Sequence, residues 1–124
     1  MAAVNDHPRQ EQAMTQPFLF SAASALSAIG DRTGINRFEY MIRHGSMKAG
    51  LYAPHRRDEQ GTHKQDELYV VLTGTGIFTK SGVEVAFSPG DLIFVEAGAD
   101  HRFVDFSNDF TCWALFWGPE GGEG

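Results

Sequence analysis

From Arg37 onward the chain alternates apolar and polar positions with a period of two, the signature of half-buried β-strands. Phe38, Tyr40 and Ile42 alternate with Arg37, Glu39, Met41 and Arg43. After a turn at His44-Gly45-Ser46, the residues Met47, Ala49, Leu51 and Ala53 alternate with Lys48, Gly50 and Tyr52 until Pro54, which cannot donate to a ladder. Leu68–Leu72 and Leu92–Val95 are apolar on both faces, the pattern of strands buried on both sides. Ser81-Gly82 predicts a two-residue hairpin, and Ser88-Pro89-Gly90-Asp91 a tight turn in which Pro sets the negative φ and Gly the positive one. Val83, Val85 and Phe87 form the strand between these turns, and Phe110–Trp117 is a last strand ended by Gly118-Pro119. Ser21–Ile29 departs from the period: its Ala and Leu content, a Ser able to cap its start and Gly30 past its end predict one short helix. That helix reads as packed on the outside of the domain, with a lid or a dimer contact as the other uses.

Residues 1–16 are polar, contain Pro8 and have no apolar period, so they read as a flexible arm; 17–118 form one domain and 119–124 a flexible tail. Short strands at regular spacing joined by glycine turns predict an all-β fold, a sandwich or barrel. The 124 residues suffice for one domain with its own core.

Charge and cysteine content narrow the function. A formal net charge of −6, with the ten basic residues scattered, argues against nucleic acid or an anionic membrane surface as partner. A single cysteine, Cys112, excludes an intrachain disulfide and a cysteine-rich metal site; with no membrane-length apolar run and no signal-peptide pattern, the expected location is cytoplasmic. No Ser-His-Asp order, phosphate loop or paired-carboxylate spacing is present.

The polar positions that remain are concentrated in Gln60–Gly74 and Gly90–Asp105. His63, three residues, Glu67, six residues and Gly74 form one run; Gly90, five residues, Glu96-Ala97-Gly98, two residues, His101, three residues and Asp105 form the other. Together these runs resemble the two motifs of the cupin superfamily over roughly residues 37–118, with Glu96 in place of a Pro and Asp105 in place of an Asn. The resemblance implies a cupin-type jelly-roll β-barrel of two antiparallel sheets. It departs where the first motif has its first His: Gly61 stands there, and His55, separated from His63 by seven residues, or Gln60 or a water could fill the place.

His63, Glu67 and His101 supply two imidazoles and one carboxylate, a donor set suited to one divalent metal ion, with iron, manganese, nickel and zinc all compatible. Gln60 or His55 is the candidate fourth ligand, and an unfilled position at Gly61 would leave coordination sites for oxygen or substrate. Tyr69 and Phe103 share the ligand face, and Tyr52 and Tyr40 add phenols; all four either line a pocket or simply fill the core. Asp66 and Glu96 fall off the ligand face and read as solvated. Cys112 reads as a small core residue. The apolar stripe Trp113, Leu115 and Trp117 reads as exposed on a monomer and hence as a homodimer interface. The resulting expectation is a small metal-dependent enzyme of oxygenase, isomerase or lyase type acting on a small organic molecule. A non-catalytic barrel that binds or senses such a molecule is the alternative.

Overall fold

The computed structural model describes residues 17–124. The expected flexible arm, 1–16, lies outside the described residues. Helix α1 (Ala22–Ile29) is followed by a single 3-10 turn (Gly34–Asn36) and eight strands. These are β1 (Phe38–His44), β2 (Met47–Tyr52), β3 (Asp66–Thr73), β4 (Gly76–Lys80), β5 (Val83–Phe87), β6 (Leu92–Val95), β7 (His101–Val104) and β8 (Thr111–Trp117). Two antiparallel sheets result, one of five strands in the order β1-β2-β8-β3-β6 and one of three in the order β5-β4-β7. The strand pattern predicts the all-β class, and the two-sheet jelly roll is the arrangement that the resemblance implies.

Local chemistry accounts for the ends of the elements. The Ser21 side chain accepts from the Ser24 amide at 3.1 Å and starts α1; Gly30, at φ 54°, ends it with its own amide donating to Leu26. Ser81 and Gly82 take φ of 50° and 84° in the β4–β5 hairpin, and Gly90 takes 94° after Pro89. These positive angles are those the turn residues were read for.

The main core lies between the sheets and is dominated by aromatic rings, among them Tyr52, Tyr69, Phe78, Phe103 and Phe110. A second cluster sits on the outer side of the five-stranded sheet, where Ala25 and Ile29 of α1 cover Leu51 and Ala53. Trp113 packs against this second cluster, and Phe18, Phe20 and Leu115 line one outer groove. Trp113 and Leu115 are therefore only half exposed, because this chain's own helix and preceding segment lie beside them, while Trp117 is half covered beside the Phe94 ring of β6. Leu92 and Phe94, read as doubly buried, are 66% and 49% exposed, because β6 is the edge strand of its sheet and no further strand of the described residues pairs with its outer side.

Three further readings are corrected. The alternation of β1 breaks after Tyr40: the register with β2 shifts between Tyr40 and Ile42, so Tyr40 faces the barrel mouth while Met41 packs toward the helix. Arg37 is buried, not a solvent-facing strand residue. Its guanidinium donates to the carbonyls of Ala53 at 2.6 Å, Gly30 at 3.0 Å and Arg32 at 2.9 Å, tying the end of α1 to the end of β2. Asp105 lies beyond β7, exposed and at φ 47°, a backbone angle that Asp and Asn tolerate better than most residues. It does not share the inward face of His101.

Gly50 marks where β1 crosses closest to β2. A Cβ there would abut the Glu39 carbonyl and lie 2.5 Å from the Phe38 ring. Gly50→Ala is expected to cost about 3 kcal/mol by overpacking, read as a lowered urea midpoint with unchanged slope.

Candidate metal centre

Glu67 is the second residue of β3 and is paired on one side with Phe116 and on the other with Val95. That central position turns its side chain into the barrel and buries it completely. His63 lies in the approach to β3. Its Nδ1 is 2.8 Å from the Gln65 carbonyl, and Gln65 in turn donates to the carbonyls of Ser46 at 2.7 Å and Gly118 at 2.9 Å. The turn that carries His63 is thereby fastened to the β1–β2 turn and to the end of β8. His101 opens β7 in the other sheet, and its Nδ1 is 2.9 Å from the Ala99 carbonyl.

A carbonyl only accepts, so both Nδ1 atoms carry hydrogen, and in the neutral rings both Nε2 atoms present lone pairs to the same space. Nε2 of His63 is 2.5 Å and that of His101 3.6 Å from Glu67 Oε1, with one donor atom from each residue within 4.8 Å of the others. The two Nε2 atoms and both Glu67 oxygens are buried without a hydrogen-bond partner. Four such atoms facing one another are costly unless something satisfies them together. A divalent cation does so, and two imidazoles with one carboxylate are a fitting donor set for one. Burial opposes protonation of His101, but the Glu67 carboxylate, the Ala99 carbonyl and Asp58 outweigh it and raise its pKa above the ordinary 6.5.

Tyr69 and Phe103 form the floor, fully buried, with ring centroids 4.8 Å apart and Tyr69 6.2 Å from His101. Tyr40, Tyr52 and Gln60 line an adjoining pocket of about 540 Å³ with Phe38 and Phe116. Gln60 is brought to the mouth, where its amide donates to the Tyr69 hydroxyl at 3.1 Å. His55 is not: it lines a groove beside α1 with Leu26 and Leu72, because the chain from Pro54 follows the helix before turning to the mouth. Its pKa is lowered by burial and by Arg37 and Arg56. Gly61 has open space, with no atom within 4 Å of a Cβ built on it.

Two carboxylates that read as plain polar residues prove structural. Asp58 is buried and accepts from the Tyr52 hydroxyl at 2.5 Å, the Phe103 amide at 2.9 Å and the Gln60 amide at 3.1 Å; its carbonyl accepts from the Arg102 guanidinium. Burial, and then Asp58, push the Tyr52 phenol far above its ordinary pKa. Asp66, read as solvated, is buried and accepts from the amides of Glu123 and Ala97, each at 2.9 Å; these bonds hold its carboxyl below its ordinary pKa. The same contact lays the 119–124 tail against the barrel. Glu96 is exposed and paired with Lys80 at 2.7 Å. In Cys112, burial pushes the thiol pKa well up, which suits a core residue.

An antiparallel double-sheet barrel with two histidines and a glutamate converging inside it defines a small β-barrel protein with a metal-capable cluster. The chain belongs to the cupin family, with residues 50–116 matching the cupin domain. It is 33% identical over 81 residues to an uncharacterized protein of Streptomyces coelicolor, covering 64% of this chain and 77% of that one. It is also 33% identical over 51 residues to an oxalate-binding protein of Thermotoga maritima, covering 39% of this chain and 42% of that one. Among solved structures, it is similar to a cupin 2 conserved barrel domain protein of Salinispora arenicola, with TM-score 0.62, 18% identity and coverage of 84% and 90%. A Klebsiella pneumoniae protein with a double-stranded β-helix domain gives TM-score 0.65 at 13% identity, with coverage of 82% and 90%. At these identities the structural likeness is one of fold.

Proposed function

We propose that the protein holds one divalent metal ion, iron, manganese, nickel or zinc, on His63, Glu67 and His101, and acts through it on a small organic molecule. The observation that carries this reading is the set of four buried, unpartnered polar atoms with both imidazoles held by their Nδ1 hydrogens. When bound, such an ion polarises a substrate oxygen, the chemistry shared by oxygenase, isomerase and lyase reactions. The chain supplies the rest: aromatic walls that exclude water, and Gln60 as a donor at the mouth. The oxygen of its side-chain amide is the candidate for a fourth ligand, since Gln60 reaches the mouth and His55 does not. A second reading, a barrel that binds a small molecule and returns it unchanged, is favoured by the name of the oxalate-binding relative. Product analysis after incubation with a bound compound separates the two.

The test of the metal site is occupancy. Wild-type protein reconstituted and desalted is expected to carry near one metal per chain by elemental analysis. His101→Ala is expected to lose most of it, and His44→Ala, at the exposed end of β1, to lose none. Equal losses would remove the assignment.

We also propose a cytoplasmic homodimer, supported by the exposed Leu92 and Phe94 on edge strand β6. No helix among the described residues is long and apolar enough to cross a membrane. Light scattering at micromolar concentration is expected to give twice the chain mass, and a monomeric mass would count against the dimer.

A further inference from the structure

Lys48, Phe116 and Glu67 are direct partners across the neighbouring strands β2, β8 and β3. Residues so paired share a face, and Glu67 and Phe116 place that face inside the barrel. Lys48 is therefore an inward-facing cation on the same rung as the carboxylate of the metal cluster. Its direct partner on the other side is Arg43 of β1. Like charges placed directly opposite repel, and this pair occurs in a chain whose net charge is −6. Among the described residues neither cation has a carboxylate within ion-pair distance.

Both cations rest instead on aromatic rings. The Arg43 guanidinium lies 4.2 Å from the Tyr40 centroid and the Lys48 ammonium 5.5 Å from that of Phe116. Tyr40, Phe116 and Lys48 line one cleft of about 430 Å³ together with His63, whose ring meets the Phe116 ring edge-on at 5.1 Å. Lys64 adds a second lysine to the lining of this cleft, and the exposed Glu120 a single carboxylate; Arg43 stands at its edge, over the Tyr40 ring.

We infer that this cleft binds small carboxylate anions, with one end of the anion at the His63-Glu67-His101 cluster and a carboxylate on Lys48, on the side where Arg43 of β1 stands opposite it. The inference rests on the metal reading and narrows it to a substrate class. Lys48 and Glu67 stand two strand spacings apart, about 10 Å between backbones. With both side chains reaching inward, that span suits an acid of a few carbons. An anion beside the two cations offsets their repulsion, and their aromatic seats hold them ready for it.

The experiment is calorimetric titration of manganese-loaded protein with oxalate, malonate and succinate, and with malonamide as the uncharged counterpart of malonate. Metal content is measured on every sample. Wild type is expected to bind at least one of the acids and to bind malonamide at least about tenfold more weakly than malonate. Lys48→Met, which keeps the aliphatic stem over Phe116, is expected to weaken acid binding by about tenfold or more, and Lys48→Arg to restore most of it. Acid binding unchanged in metal-loaded Lys48→Met, or malonamide binding as well as malonate, overturns the inference and leaves the metal site standing. Lys48-dependent acid binding by protein that takes up none of manganese, iron, nickel and zinc removes the metal reading and supports the anion cleft. Binding of neither metal nor acid overturns both.

Discussion

Glu67→Gln is expected to abolish stabilisation by metal. The amide keeps the shape of the side chain but loses its charge, and an amide oxygen is a much weaker ligand than a carboxylate. Loss of a partner outside the ligand set already costs about 10–100-fold in metal affinity, so loss of the only anionic donor is expected to exceed about 100-fold. At a metal concentration 100 times the wild-type Kd, binding adds about 2.7 kcal/mol to folding, whereas a variant with 100-fold weaker binding gains about 0.4 kcal/mol. Calorimetric melting with and without zinc reads the difference directly. A metal-induced rise in Tm that survives in Glu67→Gln would show that metal binds elsewhere.

The second large effect is a divergence of pH dependences between metal-free and metal-loaded protein. The pKa of His101 is raised above 6.5 in the fold by Glu67 and the Ala99 carbonyl, against the opposing effect of burial. A raised folded pKa stabilises the folded state below the unfolded value, and that contribution is lost as pH rises through the folded value. Metal binding has the opposite sign, because a proton on Nε2 excludes the ion, and affinity falls about tenfold per pH unit for each histidine that must be deprotonated. As pH rises from below the ordinary 6.5 through the raised folded value, metal-free protein is therefore expected to lose this histidine contribution while the gap between loaded and free protein widens. Melting curves across that range check both slopes. A gap that stays constant would mean that the bound metal does not compete with a proton on His101.

Much of this molecule is legible from local patterns, because the features concerned are local. Ser21 and Gly30 bracket α1, and Gly82 and Gly90 take the positive φ that their turns require. Apolar alternation or a continuous apolar run marks β1, β2, β3, β5, β6 and β8. The spacing of His63 and Glu67 about one strand entrance, and of His101 about another, brings forward the three residues whose donors the fold gathers within 4.8 Å. What stays hidden depends on contacts distant in sequence. Asp58 reads as a loop carboxylate, yet its main-chain partner Phe103 is 45 residues away. Asp66 is paired with an amide 57 residues on, which no periodicity announces. The shift at Tyr40 leaves the composition of β1 unchanged and is set by how tightly Gly50 lets the two strands cross. Lys48 was visible as the polar side of β2, but only the register with Phe116 and Glu67 shows that this side is the interior.

The buried Asp58 carboxylate also sets the kinetics of entry. It joins the 53–65 segment to Tyr52 at the end of β2 and to Phe103 in β7, so lifting that segment would strand a desolvated charge and the two donors outside the segment at once. The mouth is accordingly expected to be preformed. A small molecule would enter without the entropy of ordering a loop set against its affinity, and its association would be governed by diffusion and by shedding its own water, with no gate to wait for.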